Sequence, residues 1–340
     1  MLDFFLTFAW RNTEVMTKII GLGNALVDIL IKLPGDELLK EAGLLKGSML
    51  HVARETIDDL LLKTISFPRQ ITSGGSAGNA IHGLARLGHT TAFIGKTGPD
   101  CLGDSFRKDL EDSGIIPLLI TSTTDTGTAV AFITPDSERT FAVFLGAASE
   151  LNAGDLNKEM FKGYEILHIE GYLVQNHELI ETALRIAKAQ GLKVSFDMAS
   201  YNVVESNLQF LRHIVELYVD IVFANEEEAM AITGLDPLKA VSSLSSHCEI
   251  AIVKIGSKGS LIQSGEQLFS IGAISVRVVD TTGAGDLYAA GFLHGLTSGL
   301  TLDKCGQAGS ILAGNVIRFI GAKIPETEWP LISKEISKFA

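Results

Sequence analysis

The sequence has few cysteines, and their placement excludes two kinds of structure. Cys101, Cys248 and Cys305 are the three in 340 residues, far apart and without metal-ligand spacing. An odd, scattered set of this kind fits neither a disulfide framework nor a cysteine zinc site. We therefore expect reduced thiols in a cytoplasmic protein.

Basic residues are also scarce relative to acidic ones. Lysine and arginine number 28 against 40 aspartates and glutamates, so the formal net charge is -12. A protein that binds nucleic acid by neutralising phosphates needs the opposite balance. Nucleic acid is therefore not an expected partner, and a small molecule is.

A long hydrophobic run is missing as well. The opening segment MLDFFLTFAW is apolar but too short to span a bilayer, and it lacks the basic start and cleavage site of a signal peptide. No membrane association is expected. A strand-like segment follows Met16 at once, so we interpret residues 1 to 15 as an N-terminal extension and residues 16 to 340 as the functional domain.

What is present is the composition of a globular α/β protein. Hydrophobic residues make up 46% of the chain and charged residues 20%. Strand-like apolar runs alternate with helical patterns, which predicts a mainly parallel sheet covered by helices on both faces. The predicted strands are 19–22, 91–94, 166–169, 193–196, 221–223 and 250–254. The predicted helices are 77–87, 102–113, 178–190, 207–218, 225–233, 285–298 and 302–319, the last two rich in glycine and alanine.

Two regions break this alternation. Residues 44–52 and 116–145 have β-type patterning without intervening helices, with a turn at Pro135-Asp136. The pattern predicts a small antiparallel sheet, with strands drawn from about 28–52 and 116–145. A lid over a binding site and a merely structural insertion explain it equally well.

Several nucleotide-binding motifs are incomplete. GLGNAL, from Gly21, has Leu26 where a dinucleotide fingerprint needs its third glycine. IGKTG has Thr90 where a P-loop needs glycine, and the catalytic-loop residues of protein kinases are absent. A dehydrogenase, a P-loop enzyme and a protein kinase are all disfavoured.

The segment VVDTTGAGDLYAAGFL, residues 278–293, joins a strand-like run to a helix through a glycine-rich turn. A helix N-terminus offers free N–H groups and a positive dipole end, so Gly283, Ala284 and Gly285 predict an anion cradle. Asp286 beside it can take a proton from an attacking hydroxyl while the cradle holds the phosphoryl charge. The alternative is an ordinary acidic residue stabilised by the helix dipole.

Two further motifs point to ligands. SGGSAGNAIHGLARLG, residues 73–88, brings Asn79 onto a helix start, and Asn24 and Asp28 follow the first strand. These short polar groups without a cationic cluster suit the hydroxyls of a neutral sugar. In NEEEA, Asn225 and Glu228 share one helix face and can hold a hydrated magnesium with nucleotide phosphates; a plain capped helix start is the alternative.

The ordered motifs GGSAGNAIHGLARLG, NEEE, IVKIGSKGSLI and DTTGAGDLYAAGFL resemble those of the ribokinase-like, or PfkB, carbohydrate kinases. The similarity runs from about Ile19 to Pro325. GNALVDI, EGYL at Glu170 and AGSILAGNVIRFIGAKIPE are more similar to the adenosine kinase branch than to ribokinase.

The resemblance implies a three-layer ribokinase-like fold, with a mostly parallel central sheet flanked by helices and a small β-sheet lid. It also implies roles for individual residues: a catalytic base at Asp286; an anion hole at Gly283, Ala284 and Gly285; substrate binding by Asn24, Asp28, Gly74, Gly75 and Asn79; nucleotide and phosphate binding by Asn225, Glu228, Lys254, Gly256 and Gly259; magnesium held through water by Glu228; and a candidate potassium site at Asp280.

These observations predict an ATP- and magnesium-dependent kinase, with potassium as a candidate further ion, that phosphorylates a primary hydroxyl of a nucleoside, adenosine first. A free-sugar kinase of ribokinase or fructokinase type is the alternative, and a non-catalytic sensor a weaker one. The chain is expected to be a monomer or homodimer. Arg139 is expected to be a solvated hairpin charge, with a phosphate contact from the lid as the alternative. His168 is expected to be a structural residue, and Phe132, Phe141 and Phe144 either stacking or packing groups.

Overall fold

Two β-sheets of unequal size organise the chain, which is described by a computed structural model for residues 17–136 and 138–339. The predicted extension, residues 1–15, lies outside this part. The strands are β1 (Lys18–Leu22), β2 (Leu26–Lys32), β3 (Met49–His51), β4 (Arg69–Ser73), β5 (Thr90–Thr97), β6 (Ile115–Thr121), β7 (Gly127–Ile133), β8 (Arg139–Phe144), β9 (Ile166–Glu170), β10 (Lys193–Asp197), β11 (Ile221–Asn225), β12 (Ile250–Lys254), β13 (Ser260–Ser264) and β14 (Gln267–Ile271).

The helices include the seven predicted ones, each within three residues of its expected ends. They are α1 (Glu37–Glu41), α2 (Arg54–Lys63), α3 (Ser76–Arg86), α4 (Cys101–Asp112), α5 (Lys158–Phe161), α6 (His177–Ala189), α7 (Tyr201–Ser206), α8 (Leu208–Leu217), α9 (Glu226–Thr233), α10 (Pro237–Ser245), α11 (Ala284–Thr297), α12 (Leu302–Val316) and α13 (Trp329–Ile336). None of these helices is long and apolar enough to cross a membrane.

The large sheet has the strand order β14-β13-β12-β11-β10-β9-β1-β5-β6. Its strands run parallel from β12 to β6, and only β13 and β14 are antiparallel additions at one edge. Successive residues point to opposite faces, so Ile19 packs into one buried cluster and Ile20 into the other. The predicted α/β class, with helices on both faces of a mostly parallel sheet, is confirmed.

Helices α11 and α12 lie very close together, as their glycine and alanine content predicts. A Cβ atom added to Gly291 would fall 2.4 Å from the carbonyl oxygen of Ala308. Only a residue without a side chain permits this approach. The contact fixes the axis of α11, and with it the position of the helix N-terminus where Asp286 lies.

The small sheet has the order β3-β8-β7-β2-β4, so β4 belongs to it although its strands were expected from about 28–52 and 116–145. The structure corrects the prediction in two further respects. The sheet is mixed rather than antiparallel, because β2 pairs with β7, and β3 with β8, in parallel. Residues 116–121 were expected to belong to it but lie in β6, which pairs with β5 at the edge of the large sheet. The reason is α4, a crossover helix between β5 and β6, which makes parallel pairing the favoured connection.

The strand-like run before the glycine turn is not a strand. Val278 and Val279 are 55% and 40% exposed, and the backbone N–H groups of Val279 and Asp280 both donate to Ile317 at the end of α12. Residues 278–280 therefore cross the end of a helix instead of joining a sheet, so two exposed valines mimic a strand in the sequence.

Candidate active site

Five strands of the large sheet end at the same edge, and each delivers a polar residue there. Asn24 follows β1, while Glu170, Asp197, Asn225 and Lys254 are the last residues of β9, β10, β11 and β12. The carboxyl ends of parallel strands are where α/β proteins bind ligands. A cavity of about 1540 Å³ lies at this edge and is lined by all five of these residues and by Asp286.

Asp286 lies in the first turn of α11 and is held by two side chains from α3. Ser76 Oγ donates to Oδ1 at 2.6 Å, and Asn79 Nδ2 donates to Oδ2 at 2.9 Å. Burial raises the pKa of Asp286 to about 6, although the two hydrogen bonds oppose the increase. The carboxylate is thus oriented, ionised at neutral pH and basic enough to accept a proton. Sequence patterns missed Ser76, although it stands inside the glycine motif.

The turn before Asp286 presents backbone donors, and the set differs slightly from the predicted one. Gly283 has a φ of +75°, and Ala284 donates its N–H to Thr281 at 3.2 Å. Within the described residues, the N–H groups of Gly283 and Gly285 have no hydrogen-bond partner. Free donors therefore lie where the anion hole was expected, but Ala284 closes the turn and is not one of them.

Lys254 lies against this turn, a position that the sequence did not predict. A Cβ atom on Gly285 would be 3.1 Å from Lys254 Nζ, and the ammonium group forms an ion pair with Asp197 at 2.9 Å. Burial alone would lower the pKa of Lys254, but Asp197 and Glu228 hold it above its usual value. The Lys254 side chain is therefore a permanent cation beside the turn. Asp197, the last residue of β10, also lines the cavity, and no sequence motif pointed to it.

Asn225 and Glu228 form a capping box at the start of α9. Asn225 Oδ1 accepts the N–H of Glu228 at 2.9 Å, and Glu228 accepts the backbone N–H and the side-chain amide of Asn225, both at 2.7 Å. Burial, reinforced by Asp197, raises the pKa of Glu228 to about 7. The local structure is thus the capped helix start that was the alternative interpretation of this motif. Both residues nevertheless line the cavity, where a ligand could reach them.

The predicted substrate residues meet at the other side of Asp286. Gly75 has a φ of +87°, and a Cβ atom there would lie 2.2 Å from the carbonyl oxygen of Asn24; one on Gly74 would lie 2.3 Å from Asp28 Oδ2. Gly74 is therefore required for the close approach of the Asp28 carboxylate, and Gly75 for that of the Asn24 carbonyl. Burial raises the pKa of Asp28 to about 7, with Lys323 opposing and Asp286 adding to the increase.

Glu170 is a buried residue that holds together the group formed by Asn24, Asp28, Gly74 and Gly75, which we call the substrate corner. Glu170 is 1% exposed and accepts hydrogen bonds from the backbone N–H of Asn24 at 3.0 Å, the Asn24 amide at 2.6 Å and the N–H of Ala77 at 2.9 Å. It thereby joins the ends of β1 and β9 to the start of α3. One N–H of the Asn24 side-chain amide is consequently committed to Glu170, and its second N–H and its oxygen are left for a ligand.

The small sheet covers the cavity with a mostly apolar face. Residues at alternate positions of four of its strands point the same way, and those that line the cavity are Leu26, Asp28, Met49, His51, Ala129, Phe141 and Val143. Of the three candidate stacking residues only Phe141 lies there. Phe132 is fully buried and Phe144 packs against the core.

Asp280 and Arg139 form a buried ion pair, which was not expected. Their side chains are 1% and 12% exposed, and the guanidinium also contacts Thr282 Oγ1. The prediction of a solvated hairpin charge at Arg139 is wrong, because β8 directs this side chain towards α11. His168, by contrast, is structural as predicted: it is buried and hydrogen-bonded to Ser195 at 2.9 Å.

The remaining predicted nucleotide residues lie at the far end of the cavity. Gly256 and Gly259 bracket a short 3-10 turn after β12, and both line the cavity. Gly259 has a φ of +103°, and a Cβ atom there would lie 1.8 Å from the carbonyl oxygen of Ile271. The turn is thus tied to β14 and forms a rigid rim.

Comparison with known proteins identifies the family of the chain. Residues 68–329 match the model of the pfkB family carbohydrate kinases. The chain belongs to this family. A probable sugar kinase from Rhizobium etli and the adenosine kinase from Sinorhizobium meliloti are each 33% identical, with TM-scores of 0.85 and 0.84. The alignments cover 95% and 94% of this chain and 99% of each structure.

A curated relative extends the comparison. The adenosine kinase of Schizophyllum commune is 25% identical over 93% of this chain and 98% of its own length. The predicted family and ribokinase-like fold are confirmed. The chain is a sugar or nucleoside kinase, and kinases of the pfkB family use ATP with a divalent metal, typically magnesium.

Proposed function

We propose that this pfkB kinase transfers the γ-phosphoryl group of ATP to a primary hydroxyl of a ribonucleoside, adenosine first. The observation that carries the proposal is that Asp286 adjoins the free N–H groups of Gly283 and Gly285 in the chain and lines the same cavity as Asp28, near enough for its charge to help raise the pKa of Asp28. In this arrangement a hydroxyl held by the substrate corner faces both a base and an anion hole.

Asp286 acts as the general base. With a pKa of about 6 it is ionised at pH 7, and Ser76 and Asn79 hold its two oxygens in place. It accepts the hydroxyl proton as the oxygen attacks phosphorus and the bond to the leaving ADP breaks. The backbone donors and Lys254 stabilise the charge that develops on the transferred group.

The residues present fit a magnesium ion that arrives with the nucleotide. The described part of the chain has no group of three or more His, Cys, Asp or Glu side chains that could hold a metal alone. Magnesium keeps several waters and binds mainly through substrate phosphates. Both Glu228 oxygens are engaged by Asn225, so Glu228 fits a position behind the metal's water shell. The metal would neutralise phosphate charge.

The small sheet supports a nucleoside over a free sugar. Leu26, Met49, Phe141 and Val143 present an apolar surface beside Asp28, where a sugar ring would be held. A nucleobase would bury this surface, whereas a free sugar would leave much of it wet. We propose that the small sheet acts as a lid on a single kinase domain. A free-sugar kinase remains the alternative, because Asp28 would bind either kind of hydroxyl.

An acceptor panel tests the proposal. Purified enzyme with magnesium and ATP is offered ribonucleosides and the sugars ribose and fructose one at a time, and ADP release is followed with identification of the phosphorylated product by mass spectrometry. A nucleoside, adenosine foremost, should have the highest kcat/KM. Preferential turnover of ribose or fructose would favour the free-sugar alternative. Binding of a nucleoside without any product would support a sensor.

A further inference from the structure

Both oxygens of the Asp280 carboxylate are already engaged within the protein, one of them by a cation. Oδ1 accepts the N–H of Thr282 at 2.8 Å, and Oδ2 accepts the N–H of Gly321 and pairs with Arg139. The side chain is 1% exposed. A potassium ion, which the family resemblance suggests for Asp280, would have to share this carboxylate with a guanidinium of the same charge. The residues present do not fit that ion.

Arg139 brings its charge to this position from the small sheet. It opens β8 and lies two and four residues before Phe141 and Val143, on the face that covers the cavity. Its two terminal nitrogens diverge, one to Asp280 and one to Thr282 Oγ1. Arginine is suited to such a two-pronged contact because its planar guanidinium offers several fixed donors.

The pair bears directly on the anion hole. Asp280 and Thr282 lie three and one residues before Gly283, whose N–H is one of the free donors. Asp280 also accepts the N–H of Gly321. The Cβ atom of the neighbouring Ala322 is 2.6 Å from the position that a Cβ atom on Gly283 would take. The contacts of Asp280 therefore hold the residues that precede Gly283 and also the segment 321–322 that packs against it.

We infer that this kinase needs no monovalent cation, because the Arg139 guanidinium supplies at Asp280 the positive charge that potassium would otherwise provide. Arg139 is a positioning residue that acts through the turn at Asp280 and Thr282. Since it belongs to the small sheet, the charge reaches the anion hole only when this sheet lies over the cavity. The inference rests on the proposed phosphoryl transfer but not on the identity of the acceptor.

Potassium titration tests the inference. Wild-type enzyme is measured from zero to about 0.15 M potassium, with tetramethylammonium keeping the ionic strength constant. Two quantities are followed: kcat/KM with the best acceptor, and the melting temperature of the enzyme without substrates. We expect kcat/KM to change by less than about twofold and the melting temperature to stay constant, since an ion bound only to the folded state would raise it.

Variants of Arg139 separate a positioning role from a purely structural one. Arg139→Met should lose at least about tenfold in kcat/KM, and potassium should restore part of it, because a buried Asp280 left without its partner can then take a cation. Arg139→Lys keeps the charge and should remain insensitive to potassium. Arg69→Met is the matched control: Arg69 is on β4 of the same sheet, and its side chain donates to the backbone carbonyls of Leu61 and Thr64.

Three results would overturn the inference. The first is a rise of more than about fivefold in wild-type kcat/KM with potassium but not with tetramethylammonium. The second is a wild-type melting temperature that increases with potassium concentration. The third is an Arg139→Met enzyme as active as Arg69→Met without potassium. If no acceptor is phosphorylated, the proposed function fails, while the melting measurements still decide whether wild-type enzyme binds the ion.

Discussion

Replacement of Asp286 by asparagine gives the sharpest test of the proposed chemistry. The two side chains have the same shape, so Ser76 can still donate to the oxygen of the new amide. Asn79 has a buried Oδ1 without a partner in the described chain, and rotation of its amide would let that oxygen accept from the new NH2 group. The variant should therefore fold with the hydrogen bonds of the corner intact.

The loss of the base should lower kcat by about two to four orders of magnitude, with little change in the KM of the acceptor. Stability should move in the opposite direction. The pKa of Asp286 is raised to about 6 in the folded state, so the folded chain binds its proton more readily than the unfolded chain. The ionised carboxylate therefore costs stability above pH 6, up to about 3 kcal/mol, and this cost vanishes near pH 4.

Asp286→Asn should accordingly be much less active and, at pH 8, more stable than wild type, with the gain shrinking towards pH 4. Steady-state kinetics of ADP release and thermal unfolding at several pH values measure the two effects. Asp303→Asn is the control, since Asp303 occupies the first turn of the neighbouring helix α12 and does not line the cavity. A kcat near that of wild type would refute the assignment of Asp286 as the base.

The other predictions concern pH, the substrate corner and the glycine turn. Wild-type kcat/KM should fall about tenfold per pH unit below pH 6, where Asp286 is protonated, and a pH profile checks this. Asp28→Asn should raise the KM of the acceptor but not of ATP, and should raise the melting temperature at pH 8 more than at pH 5, because the pKa of Asp28 is raised to about 7. Gly283→Ala should lower both kcat and the melting temperature, since its Cβ would fall 2.6 Å from that of Ala322. Gly299→Ala is the control, because Gly299 has the same φ of +75° but open space around it. This variant should lower only the melting temperature, and by less.

The sequence was informative where function depends on neighbours along the chain. A helix start, a capping pair three residues apart and a glycine turn are local patterns, so the amino-acid order brings out Asp286, Asn225 and Glu228 as candidates, and the family resemblance adds Gly75. The same alternation of strands and helices predicted the parallel sheet, because each crossover is short and its handedness is restricted.

Contacts between distant segments could not be predicted in this way. Lys254 pairs with Asp197 across 57 residues, and Ser76 donates to Asp286 across 210. Arg139 meets Asp280 only because the small sheet folds over the end of α11. The assignment of 116–121 to that sheet failed for the same reason, since an isolated strand pattern does not reveal which sheet edge it joins.

The charges around the cavity limit the ligands that it can take. Seven carboxylates line it, from Asp28, Glu170, Asp197, Glu226, Glu227, Glu228 and Asp286. Among the described lining residues Lys254 is the one lysine or arginine, and it is already paired with Asp197. A polyphosphate entering this field is repelled unless a divalent cation accompanies it, which agrees with the metal that the family uses.

The same field bears on the acceptor. Asp28 lies at the substrate corner, and the nearby Lys323 is engaged by Asp109 and Ser73. A phosphorylated sugar would bring its negative charge against Asp28 without a free cation to receive it, whereas the hydroxyls of an uncharged molecule can donate to that carboxylate. Electrostatics thus favour a neutral acceptor, and the apolar face of the small sheet favours one that carries a base.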